Sequence, residues 1–128
     1  MSLQVFEDWR DLPAAARGGA LALGAFDGVH RGHRAVIAAA ARAASRLGAP
    51  FGVVTFAPHP RRWFVPGAEP FLLTNADQQT RALADLGVER LYRLPFDAEM
   101  AELSDESFAR TVLAEGLGAR HVSTGPDF

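Results

Sequence analysis

Residues 20–33 constrain the fold of this chain more than any other stretch. Ala20-Leu21-Ala22-Leu23 is an uninterrupted apolar run of strand length, and it leads through Gly24-Ala25-Phe26-Asp27-Gly28-Val29-His30 into an alanine-rich segment with helical spacing. The order is strand, tight turn, helix. A second β-rich run, Phe51-Gly52-Val53-Val54-Thr55-Phe56, follows that helix, as in a parallel βαβ unit.

The remaining elements continue the alternation. Gln4-Val5-Phe6 reads as a short edge strand, and Trp9 to Ala16 as a surface connection or brief helix containing Pro13. The first full strand is expected over Gly19 to Ala25. The helix after it is expected from Gly32 to Leu47, burying Val36, Ile37, Ala40, Ala41, Ala44 and Leu47, with Gly48 as its cap. A second helix is expected from Asn75 to Leu86, with Thr74 as N-cap and Gly87 ending it, then a strand over Leu91-Tyr92-Arg93-Leu94. Ser104-Asp105-Glu106 opens a further helix that turns Phe108, Val112, Leu113 and Leu117 inward and closes at Gly118. Arg120 to Gly125 reads as the last strand. The fold class is α/β, a mostly parallel sheet flanked by helices.

His30 and His33 lie three residues apart at the start of a helix, hence on one face, where the first-turn N–H groups lack intrahelical partners. Those donors and the positive end of the helix dipole favour an anion, and Gly28 and Gly32 suit a tight turn or the close approach of a ligand. The stretch reads as a phosphate cradle with two imidazole donors. Two zinc ligands and two ordinary helix-start residues are the competing readings of the pair; against the first, the chain has no cysteine and His59 and His121 stand at no ligand spacing, and against the second stands the Phe26-Asp27-Gly28 context.

Ligands of an open parallel sheet sit beyond the carboxyl ends of its strands. The strand ending in Thr55-Phe56 runs into Ala57-Pro58-His59-Pro60-Arg61-Arg62, so this loop and the Asp27-to-His33 turn should meet at one crevice. Pro58 and Pro60 restrict the loop and orient His59. Arg61 and Arg62 are either phosphate contacts or solvated loop charges, and Trp63 and Phe64 either border a ring or cover the core. Asp127, past the end of the last strand, should also point into the crevice; His121 reads as structural.

His30-Arg31-Gly32-His33 is the H-x-G-H signature of a Rossmann-like nucleotidyltransferase superfamily. The longer string Gly24-Ala25-Phe26-Asp27-Gly28-Val29-His30-Arg31-Gly32-His33 resembles the FMN adenylyltransferase module of prokaryotic bifunctional FAD synthetases. Thr55-Phe56-Ala57-Pro58-His59-Pro60 is similar to that family's second motif, and Leu73-Thr74 and Gly125-Pro126-Asp127-Phe128 match later landmarks.

The resemblance implies transfer of AMP from ATP to FMN, giving FAD and pyrophosphate, with Mg²⁺ accompanying ATP. It makes His30 and His33 the catalytic donors, and Gly24, Phe26, Asp27, Gly28 and Gly32 further ATP-binding positions. Thr55, Phe56, Pro58, His59, Arg61, Gly125 and Asp127 become candidates for the substrate site. Asp27 would fix the turn by a side-chain hydrogen bond, metal ligation being the alternative. The family usually carries a lysine near Gln79, which is lacking here. It also continues beyond the position of Phe128 into a riboflavin kinase domain, so residues 1–128 are expected to form a transferase domain that is incomplete at its C-terminus. Three alternatives stay open: a fragment that binds nucleotide or flavin without turnover, another H-x-G-H transferase with a different acceptor, and a purely structural domain that binds neither ATP nor FMN.

Composition narrows the partners. The chain of 128 residues fits one domain, and a formal net charge of −2 argues against a nucleic-acid or membrane-surface binder. The stretch from Ala35 to Ala44 is interrupted by Arg42 and framed by Arg34 and Arg46, so no membrane span is expected. The absence of cysteine fits a reducing compartment, and Met1-Ser2-Leu3-Gln4 does not open a signal peptide. The expected location is the cytoplasm.

Overall fold

Every strand pairing in the sheet is parallel. The computed structural model describes residues 3–24, 31–57 and 76–125, with residues 31 and 32 described as backbone only. In chain order the elements are β1 (Gln4–Phe6), a 3₁₀ turn (Ala14–Ala16), β2 (Ala20–Leu23), α1 (Arg31–Leu47), β3 (Phe51–Ala57), α2 (Ala76–Asp85), β4 (Arg90–Pro95), α3 (Ala98–Glu102), α4 (Asp105–Phe108), a π-helical stretch (Ala109–Gly116) and β5 (His121–Thr124). The sheet order is β1-β4-β3-β2-β5.

Interior strand β2 is buried on both faces, as an unbroken apolar run in a parallel sheet should be. Its small residues Ala20 and Ala22 face the layer of α1 and α2, where Ile37, Ala40, Ala43, Ala44, Val53, Leu83 and Leu91 complete one core. Leu21 and Leu23 face the opposite layer with Val54, Tyr92, Leu94, Met100, Val112, Leu113 and Leu117. Alanine on both the strand and the helix lets α1 lie close to the sheet, and this closeness buries Ala43, a position outside the expected helical face. Val36, Ala41 and Leu47 flank that face, half-buried.

Four differences from expectation bear on the architecture; besides these, β3 reaches Ala57 and β4 runs from Arg90 to Pro95, longer than expected. Of the strand expected over Gly19 to Ala25, Ala20–Leu23 is formed, Gly19 and Gly24 lie outside it, and Ala25 is not among the described residues. Arg120 precedes β5: its N–H donates to the Gly19 carbonyl at 2.9 Å just before both strands begin. The helix after Ser104 is α-helical for four residues and then widens into eight residues of π-helix; its inward positions Val112 and Leu113, and Leu117 just past its end, suit either winding. Helix α3 is additional, capped by the Asp97 carboxylate accepting from the Met100 N–H at 2.9 Å. The expected Ser104 cap is present, accepting from the Ser107 N–H at 3.1 Å. Gly48 and Gly87 end their helices at φ values of 64° and 89°, where a side chain would be strained.

Candidate functional site

The chain goes from β2 to β3 and β4 on one side, then returns to place β5 on the other side of β2. The order therefore reverses between β2 and β5, and the carboxyl ends of these strands form the crevice where such sheets take ligands. Leu23 pairs with Val54 of β3 and with Thr124 of β5. One residue further on, Gly24 lies between Thr55 and Gly125, its N–H donating to the Val54 carbonyl at 3.1 Å. Three candidate positions from three separate motifs thus form one row across the sheet edge.

Helix α1 starts above this row and packs on β2, β3 and β5. A Cβ placed on Gly125 would stand 3.7 Å from Val36 Cγ2, so the beginning of α1 overhangs the end of β5. His33 lies three residues before Val36, on the same side of the helix; it is half-buried, with Nδ1 shielded from solvent. Gly32 lies in the helix's first turn. The backbone donors of that turn and the histidine share the switch point, an arrangement suited to an anion.

Thr55 forms the floor next to them. At 1% exposure it is the buried polar side chain among the described residues, and strand alternation puts it on the α1 face. Phe56 points to the opposite face. There it meets Phe96 edge-on, with ring centroids 5.7 Å apart, and Phe108 at 6.0 Å, giving the same edge an aromatic wall. Phe96 and Phe108 carried no motif, and only the fold brings them to Phe56. Phe26, Asp27, Gly28, His30, Pro58, His59, Arg61 and Asp127 lie outside the described residues, as do Arg62, Trp63, Phe64, Thr74 and Asn75. His121 has a local partner, its Nε2 standing 2.6 Å from Ser123 Oγ.

Fold and edge define a Rossmann-like α/β protein with a nucleotidyltransferase-like fold. Residues 12–128 match the FAD synthetase family, and the chain belongs to it. It is 38% identical over 126 residues to a bifunctional riboflavin kinase/FMN adenylyltransferase of Pseudomonas fluorescens, covering 98% of this chain and 40% of that protein. The protein of the same description from Escherichia coli K12 is 33% identical over 115 residues, covering 90% and 37%. The Bacillus subtilis one is 38% identical over 109 residues, covering 84% and 34%. A Streptococcus pneumoniae crystal structure described as a macrolide-efflux protein superposes with a TM-score of 0.78 at 26% identity, covering 99% of this chain and 44% of that one. The chain therefore spans about two-fifths of the Pseudomonas relative. No described helix is long and apolar enough to cross a membrane.

Proposed function

We propose that this chain carries the FMN adenylyltransferase activity named in its relatives, moving AMP from ATP to FMN to give FAD and pyrophosphate. The observation that carries the reading is the row Gly125, Gly24, Thr55 beneath the start of α1, since it gathers the ends of three motif-bearing strands at the switch point.

In this reading an oxygen of the FMN phosphate attacks the α-phosphorus of ATP, the bond to the bridging oxygen breaks, and pyrophosphate leaves. No covalent enzyme intermediate is needed, so alignment and charge stabilisation supply the rate. His30 and His33 donate hydrogen bonds to phosphate oxygens, and the first-turn N–H groups of α1 add to them. Mg²⁺ belongs to the substrate as the counter-ion of the ATP phosphates, where it neutralises charge. The aromatic wall of Phe56, Phe96 and Phe108 offers apolar surface for a planar ring at the same edge. A riboflavin kinase domain on the same polypeptide, as in the relatives' names, and a cytoplasmic location complete the proposal.

The test is FAD formation from FMN, ATP and Mg²⁺, resolved by chromatography, for the complete protein and for the 128-residue chain. FAD from the complete protein is the expected result. Binding of both substrates without product would replace transfer by a binding role. Turnover with CTP, or with another phosphorylated acceptor and not FMN, would move the chain to another H-x-G-H transferase.

A further inference from the structure

The row across the sheet edge has a fourth member. Arg93 pairs with Thr55 in the register of β3 and β4, and alternation puts both side chains on the face of α1 and α2. The row therefore runs Gly125, Gly24, Thr55, Arg93, with about 4.8 Å between neighbours.

Arg93 is half-buried, and its surroundings set it apart from the chain's other arginines with described partners. Nη2 donates to Thr80 Oγ1 at 2.9 Å, to the Ala76 carbonyl at 3.2 Å and to Gln79 Oε1 at 3.3 Å, all in the first turns of α2. These acceptors are neutral, and among the described residues Arg93 has no carboxylate at ion-pair distance. Arg10, by contrast, meets Asp8, Asp97 and Glu99, and Arg110 meets Glu106. Arg17 and Arg90 also donate to backbone carbonyls, but at the amino ends of the strands, away from the crevice. Among the described residues, Arg93 alone joins a partly desolvated guanidinium that has no described carboxylate partner to a place at the carboxyl edge. Such a charge is stabilised when an anion approaches. Its three described bonds all use Nη2, which leaves Nη1 and Nε outside them.

We infer that Arg93 is a phosphate-contact residue of this site, held by α2 on one side and donating from its other nitrogens to a phosphate laid across the edge above Thr55. This rests on the transferase reading, which supplies two sources of phosphate: the monophosphate acceptor and the triphosphate donor. All thirteen cationic side chains of the sequence are arginines, so the fork that suits a phosphate is the cation available here.

The test compares ligands that differ only in phosphate. In the complete protein, affinities of wild type, Arg93→Gln and Arg93→Lys are measured for FMN against riboflavin and for ATP against adenosine. Arg93→Gln is expected to weaken one phosphorylated ligand by roughly ten- to a hundredfold while its unphosphorylated counterpart binds as before. Loss with FMN assigns the acceptor, and loss with ATP the donor. Arg93→Lys keeps the charge without the planar fork and is expected to show a smaller loss confined to the same ligand, a contrast that is readable even where the glutamine variant does not fold. Unchanged affinities, or equal losses for phosphorylated and unphosphorylated ligands, overturn the inference, the latter reducing Arg93 to a brace for α2. Wild-type protein that is folded but binds neither FMN nor ATP overturns the transferase reading itself.

Discussion

The Tyr92 hydroxyl donates a 2.6 Å hydrogen bond to the Ala16 carbonyl across 76 positions of sequence. The ring is fully buried, with Phe6 of β1 stacked on it at 5.2 Å. One side chain of β4 thereby holds both the edge strand and the connection that delivers the chain into β2, the strand from which the site is built.

Replacing Tyr92 by Phe keeps the ring and leaves the Ala16 carbonyl without this donor. The expected cost is about 1–3 kcal/mol in denaturant unfolding. Burial raises the Tyr92 pKa above its ordinary 10.0, against the smaller opposing effects of the Arg90 hydrogen bond and charge. The unfolded chain ionises first as pH rises, so the stability linked to this group is intact below about pH 10 and falls above it. Tyr92→Phe should flatten the alkaline limb of the stability profile. Superimposable limbs would show that the titration contributes nothing.

Gly52 is the second pressure point. A Cβ there would come 2.7 Å from Leu21 Cδ2, 3.2 Å from the Arg90 carbonyl oxygen and 3.3 Å from Tyr92 Cε2. Leu21 and Tyr92 are both fully buried and have little room to yield. Gly52→Ala is therefore expected to destabilise by about 1–3 kcal/mol despite the better strand propensity of alanine. A melting temperature equal to wild type would mean that this layer of the core can shift.

Arg10 is a surface counterpart with smaller stakes. Its guanidinium lies 2.9 Å from Asp8, 3.1 Å from Glu99 and 3.7 Å from Asp97, and 4.5 Å from the centroid of the Trp9 ring. The partners are about half exposed, so Arg10→Ala should cost no more than about 1 kcal/mol, and less at high salt. Burial pushes the Asp8 carboxyl up, but the backbone N–H groups of Arg10 and Trp9, with the Arg10 guanidinium, outweigh it and hold the pKa below 3.8. That contribution is present above the unfolded carboxyl's pKa and is lost as pH falls through the depressed folded value. Arg10→Ala should weaken this acid-side dependence, read from unfolding midpoints between pH 6 and about pH 2.

The parts of this fold legible in the sequence are those set by local pattern. The apolar run Ala20–Leu23, the alanine stripe of α1 and the Ser104 cap each announce themselves within a few residues. Which strand lies beside which is set by the crossover connections and by packing. So Arg93 read as an ordinary strand residue until register placed it next to Thr55, and Phe96 and Phe108 had no visible relation to Phe56. The π-helical turn was hidden because inward residues at Val112, Leu113 and Leu117 fit both a 3.6-residue and a wider repeat. The place of His33 at a helix start was legible because a glycine turn leads there from an apolar run into helical spacing, and the register of Gly24, Thr55 and Gly125 then supplied the surroundings that the motif alone lacked; His30 lies outside the described residues.

His33 is where that chemistry can be tested most directly. It is half-buried in α1 above the β2–β5 switch point, and alanine favours a helix at least as well as histidine, so His33→Ala should leave the helix intact. In the proposed transfer the imidazole donates to a phosphate oxygen whose charge grows toward the transition state. Removing such a donor costs about 10²- to 10³-fold in kcat, and kcat/KM falls by a similar factor because ground-state binding is little changed. His30→Ala should behave alike by the same chemistry. FAD formation by the complete protein, measured at saturating FMN with ATP varied, separates the possibilities. A loss confined to KM for ATP would make the histidine a ground-state binding group, and turnover near wild type in both variants would remove the pair from the catalytic machinery.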